Sequence, residues 1–126
     1  MKTKIIKIYK TQDEINKLTN KIKNYTFSDF NKHQHFEFSL VEKATDLDFL
    51  SKIFPKFEDI KSVELRENEK SEKHYSFNYE LQDGTFVIIS LALDKIPPLI
   101  VNGFHAKRNY KEFEKSLKKN YRDKFI

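Results

Sequence analysis

Between residues 74 and 107 apolar and polar side chains alternate in the manner of half-buried strands. Tyr75, Phe77, Tyr79 and Leu81 share one parity, and His74, Ser76, Asn78 and Glu80 share the other. After Asp83-Gly84, a strong hairpin signal, Val87, Ile89, Leu91 and Leu93 oppose Phe86, Ile88, Ser90 and Ala92. Pro97-Pro98 forbids a tight hairpin and predicts a wider link to a strand over 99–107. Upstream, 60–67 alternates as well, with Val63 and Leu65 against Ser62, Glu64 and Arg66, and the charged stretch 67–73 reads as a loop or a long hairpin tip. Together these runs predict a four-stranded antiparallel meander.

The remaining chain has mostly helical periodicity. Residues 4–9 are a short β-prone run suited to a sheet edge. Thr11-x-x-Glu14 has the form of a capping box, and Ile15, Leu18, Ile22 and Tyr25 follow at helical spacing, which predicts a helix over 11–24. Residues 25–34 are polar and irregular, with room for a helical turn after Ser28-Asp29. In 35–41, Phe36, Phe38 and Leu40 alternate with Glu37 and Ser39, which predicts another half-buried strand, a helix being the main alternative. Thr45-x-x-Asp48 caps a short helix with Leu47, Leu50, Ile53 and Phe54 facing inward and Pro55 stopping it. Asn109-x-x-Glu112 caps a last helix over 110–122, with Tyr110, Phe113, Leu117 and Tyr121 as its apolar stripe and Lys111, Lys115, Lys118, Lys119 and Arg122 as a basic face. The expected fold is α+β: N-terminal helices packed on a four-stranded antiparallel meander sheet, with a basic C-terminal helix, in one domain over 1–126.

Composition narrows the function classes. A chain of 126 residues holds one core, and twelve Phe with six Tyr supply burial despite 34% charged residues. The absence of cysteine excludes disulfides and thiolate metal sites and fits a reducing cytoplasm. Lys7 and Lys10 break the N-terminal apolar run, so neither a signal peptide nor a membrane span is expected there. Lys and Arg total 24 against 19 Asp and Glu, a formal charge of +5, compatible with RNA or with an acidic protein partner, and equally with a lysine-rich composition of no binding consequence. Only Arg66, Arg108 and Arg122 carry guanidinium groups, which argues against extensive base reading. No P-loop, GxGxxG, HExxH or GxSxG is present, so nucleotide hydrolysis, Rossmann oxidoreduction, zinc proteolysis and α/β-hydrolase chemistry lack support.

Strand parity gathers the candidate chemistry. If Val63, Phe77 and Ile89 face the helices, then Glu64, Arg66, His74, Ser76, Asn78 and Ser90 share the opposite, open face. Asn102 or His105 joins them, depending on whether the strand bulges at Gly103, a glycine inside an apolar strand that signals either a bulge or a close backbone approach. A carboxylate, a guanidinium and imidazoles on one face can cleave RNA. A base takes the 2′-OH proton, a cation stabilises the phosphorane oxygens, and an acid protonates the leaving 5′-oxygen. The same residue types also describe the solvent face of an ordinary antiparallel sheet. Beyond that face, Lys107 and Arg108 form a cationic cluster suited to phosphate, and Lys111 and Lys115 of the last helix extend it for RNA. His33-x-His35 has a metal-ligand look, but no third ligand sits at suitable spacing, so neither a metal nor a cofactor is expected. His35 stays open as an acid, a base or a phosphate contact.

Helices followed by an antiparallel sheet with a polar face resemble the barnase/RelE-type toxin ribonucleases. The residues carrying the likeness are His35 and the segment after it, the aromatic strand 75–81, the Asp83-Gly84 turn and residues 100–105 (IVNGFH). The resemblance implies metal-independent RNA cleavage by a histidine near the helical part and polar sheet residues, often held in check by a tightly bound antitoxin. On that expectation His35, Glu64, Arg66, His74, Ser90, Asn102 and His105 form the catalytic pool, with His74 or Glu64 as base, His35 or His105 as acid, and Arg66 and Lys107 on the phosphate. The sequence also resembles small cystatin-like and nuclear-transport-factor-like domains. That likeness implies a non-catalytic protein-binding module of immunity or inhibitor type.

Overall fold

The computed structural model describes residues 3–126, an α+β arrangement of four helices and one six-stranded, mostly antiparallel open sheet. The strands are β1 (Thr3–Tyr9), β2 (Asn31–Lys32), β3 (Ile60–Asn68), β4 (Lys73–Glu80), β5 (Phe86–Ala92) and β6 (Leu99–Ala106). Their order across the sheet is β1-β3-β4-β5-β6-β2. The sheet is therefore wider than the four strands expected. β1 forms one edge, as its sequence suggests, and β2 pairs parallel with β6 at the other.

Helix α1 (Gln12–Thr19) starts where Thr11 Oγ1 accepts the Glu14 N–H. It is shorter than its apolar stripe. At Lys21 and Ile22 the backbone bonds tighten to the third residue back, which keeps Ile22 buried after the regular helix has ended. The segment from Tyr25, expected to be polar, folds inward. A 3-10 turn at Phe27–Asp29, closed by Asp29 on the Thr26 N–H, buries Phe27 and Phe30 against Phe54.

The largest departure is at 35–41, which is a helix and not a strand. In α2 (Gln34–Glu42) the His33 Nδ1 accepts the His35 N–H and caps the first turn. The buried face is Phe36 and Ser39 with half-buried Leu40, a helical spacing. Phe38, whose alternation with Phe36 suggested a strand, is 70% exposed. Helix α3 (Leu47–Ile53) is capped by Asp46, not Thr45; Leu50 and Ile53 are buried and Leu47 is not.

The two faces of the sheet are packed unequally. Val63, Phe77, Tyr79, Val87, Ile89, Leu91 and Ile100 meet α1, α2 and α3 in the main core. The other face, expected to be open, is roofed at one end by α4 (Tyr110–Asn120). Tyr110 and Phe113 pack on Phe86 and Ala106, and Leu117 packs on Ile5 and Ile8 of β1. α4 ends at Asn120, and Tyr121 is partly exposed and lies outside its buried stripe. The chain then returns to β1, where the Ile126 N–H donates to the Ile8 carbonyl.

Candidate functional site

Beside the roof of α4 the second face of the sheet forms a pocket of about 200 Å³. Side chains from several elements line it: Thr3 of β1, Glu64 and Arg66 of β3, His74 and Ser76 of β4, Ser90 of β5, Asn102 of β6, His35 of α2 and Phe113 of α4. Cross-strand register accounts for the floor, because Arg66 pairs with His74, Glu64 with Ser76, Ser76 with Ser90, and Ser90 with Asn102. His35 reaches the pocket because α2 runs along β6, where Ser39 Oγ donates to Asn102 Oδ1 at 2.9 Å.

The pocket thus unites six of the seven catalytic candidates: His35, Glu64, Arg66, His74, Ser90 and Asn102. His105 is not among them. The register irregularity skips Val101, so that Ile100 pairs with Leu91 and Asn102 with Ser90, and His105 comes opposite Val87 on the helix-covered side. Its ring lies 5.7 Å from that of Phe49, and Thr85 Oγ1 is 2.8 Å from its Nε2. Lys107 and Arg108 follow the end of β6, five and six residues along the chain from Asn102 and just before α4. Arg108 lies over Phe113 at 5.3 Å. Lys111 and Lys115 are exposed on α4, and Lys115 pairs with Glu112 at 3.7 Å.

The charged pair in the floor is committed to itself. Glu64 and Arg66 project from the same face of β3 two residues apart. Arg66 donates from Nε and Nη2 to Glu64 Oε1, and from Nη1 to Thr3 Oγ1 at 3.2 Å. The second carboxylate oxygen accepts from Asn78 Nδ2 at 2.8 Å. Asn78 also donates to Ser62 Oγ at 3.0 Å, and the Tyr110 hydroxyl donates to the same oxygen at 2.8 Å. Burial raises the Tyr110 hydroxyl well above the ordinary phenol range, so it acts as a donor. Ser62 and Tyr110 were not apparent as site residues, since their link depends on α4 crossing the sheet.

Among the described residues, His74 is the buried titratable group of the floor that has no hydrogen-bonding partner. Burial, and then the neighbouring Arg66 guanidinium, lower it from 6.5 to about 4. At neutral pH it is a neutral imidazole, and the burial and charge that keep it so also disfavour its protonated form. Glu64 is engaged through both oxygens, by Arg66 and by Asn78, so of the two proposed bases His74 is the one whose side chain makes no hydrogen bond among the described residues. His35 is exposed to solvent at the mouth. Among the described residues no group of three or more His, Asp or Glu is arranged to hold a metal ion, and His33 spends its Nδ1 on the helix cap. Among the described residues, too, no helix is long and apolar enough to cross a membrane.

No protein-family model, curated protein or solved structure matches the chain.

Proposed function

We propose that the chain is a metal-independent, toxin-like endoribonuclease whose reaction pocket is the one bounded by β3–β6, α2 and α4. The observation that carries this reading is the convergence of His35, Glu64, Arg66, His74, Ser90 and Asn102 on a single pocket of about 200 Å³. The neutral imidazole of His74 takes the proton of a ribose 2′-OH, and the 2′-oxygen attacks phosphorus. The bond to the 5′-oxygen breaks, and His35, in the role of the acid, delivers a proton to that leaving oxygen. The N–H groups of Arg66 not given to Glu64 or Thr3, and the amide nitrogen of Asn102, are the donors for the non-bridging oxygens. The exposed lysines 111 and 115 of α4, next to Lys107 and Arg108, supply a cationic approach for the RNA backbone and a surface for an acidic antitoxin. Such a protein would act in the cytoplasm.

The test is cleavage of single-stranded RNA by the purified chain. His74→Ala and His35→Ala, each still folded by circular dichroism, should lose cleavage, whereas His105→Ala should keep it. Undiminished cleavage in the first two variants overturns the assignment.

A second reading, a non-catalytic protein-binding module, is favoured by the outer face of α2. There Phe38 and Val41 are 70% and 85% exposed, flanked by Gln34, Glu37 and Glu42. RNA left intact by the wild-type chain, with a stoichiometric complex that is lost in Phe38→Ser, decides for it.

A further inference from the structure

A larger cavity adjoins the reaction pocket and plays no part in the acid–base scheme. Pairing between β4 and β5 stops at Tyr75 and Leu91, while β3–β4 pairing continues to Lys73 and β5–β6 pairing to Ala92. The strands therefore part at this end of the sheet and leave a cleft of about 600 Å³, within the size range of small-ligand sites. Half-buried Tyr75 and Leu93 give it an apolar wall, and Lys21, Lys73, Lys95 and His33 stand around it. Among the described residues none of these three lysines is held in an ion pair. Two carboxylates, Glu72 and Asp94, also border the cleft, so the balance is positive, and Glu72 accepts a hydrogen bond from Asn68. Because His33 Nδ1 accepts the His35 N–H, its other ring nitrogen carries the hydrogen and is a donor.

Unpaired cations around an aromatic wall suit a ligand that combines a planar ring with an anionic group. His74 and Val101 line both this cleft and the reaction pocket, so one strand can occupy the two in succession. We propose that the cleft is a nucleotide subsite, taking the nucleotide next to the scissile phosphate, with its base on Tyr75 and its phosphate held by Lys73, Lys95 and His33. The proposal rests on the RNA reading above and specifies single-stranded RNA as the substrate, since a base held in duplex has no free face for Tyr75.

The experiment follows the histidine ring signals of the full chain by NMR while each of the four nucleoside 3′-monophosphates, or inorganic phosphate, is added. At least one mononucleotide should shift the His33 and His74 signals at a concentration where phosphate alone does not. Lys73→Ala/Lys95→Ala, at two exposed positions that folding tolerates, should weaken that binding about ten-fold. Tyr75→Leu should weaken it at least about five-fold, the loss of one base–aromatic stack. No binding by any of the four, equal binding of phosphate alone, or affinity unchanged in both variants overturns the subsite. A chain that binds the mononucleotide but leaves RNA intact keeps the cleft as a nucleotide site and removes both the cleavage and the placement beside a scissile phosphate. A chain that cleaves RNA with KM unchanged in Lys73→Ala/Lys95→Ala keeps the cleavage and removes the subsite.

Discussion

Acid should unfold this protein partly through His74. In the folded chain that imidazole is 9% exposed, and burial followed by the Arg66 charge lowers it from 6.5 to about 4. Around it in the pocket stand Arg66 and Glu64 from β3, Ser90 from β5, Asn102 from β6 and His35 from α2, with Glu64 already bound to Arg66. The unfolded chain restores the ordinary value, so as pH falls the unfolded state takes up the proton first. The contribution is fully present above pH 6.5, begins to be lost below it, and is gone once pH has passed through 4. At about 1.36 kcal/mol per pKa unit, the difference between 6.5 and about 4 amounts to about 3 kcal/mol at most, and solvent reaching the ring from the pocket lowers it to about 2 kcal/mol. Urea unfolding followed by circular dichroism, in steps from pH 7.5 to 4.5, measures this while most carboxylates stay ionised. Between pH 7 and 5 the wild-type chain should lose about 1–2 kcal/mol more than His74→Gln, which has no imidazole to titrate. Parallel pH profiles for the two proteins would refute the reasoning, as would an NMR midpoint for His74 near its ordinary value.

Gly103→Ala should cost about 1–3 kcal/mol, because the new Cβ would lie 2.9 Å from Phe36 Cε1 and 3.1 Å from Leu50 Cδ1, both in fully buried side chains. An unchanged melting temperature would show that α2 and β6 do not approach so closely. Arg66→Met should cost about 3 kcal/mol by leaving the Glu64 carboxylate, 2% exposed, with only Asn78 to compensate it. Adding Glu64→Gln should recover part of that loss, and strictly additive losses in a urea double-mutant cycle would mean that the pair does not interact.

The elements most legible in the sequence are those whose pattern and turn chemistry agree. β4 and β5 alternate cleanly around a turn in which Gly84 has φ +89° and Asp83 Oδ1 accepts the Thr85 N–H, so strand and turn signals point the same way. α4 has its Asn109 cap and the expected stripe apart from Tyr121. Failure came where one segment fitted two periods. Phe36, Ser39 and Leu40 make a helical face, while Phe36, Phe38 and Leu40 make a strand face. Only tertiary contact, the Phe36 ring seated against Gly103, selects between them. β2 is two residues long and was beyond reach of any periodicity, since its pairing is imposed by β6. Phe27 and Phe30 were hidden for a related reason: a 3-10 turn leaves no repeating pattern.

The site was legible as a set of residues but not as a state of ionisation. Parity alone assembled Glu64, Arg66, His74 and Ser90, because cross-strand neighbours on one face must meet. Whether Asn102 or His105 joined them turned on the position of one irregularity. In the sequence Gly103 reads as a bulge or a close backbone approach; the structure uses that glycine for close approach to Phe36 and places the irregularity at Val101. Ionisation depends on what covers the face, and the stripe of α4 cannot say which side of the sheet it will take. Both sides offer apolar partners: Phe86, Ile5 and Ile8 on one, Phe77 and Ile89 on the other. Once α4 lies across the Phe86 end, the face is a walled pocket and no longer an open surface. Within it Glu64 and Arg66 satisfy each other and His74 is driven neutral. On the proposed reading, that burial sets the division of labour: the ion pair is the frame and the uncharged imidazole the base.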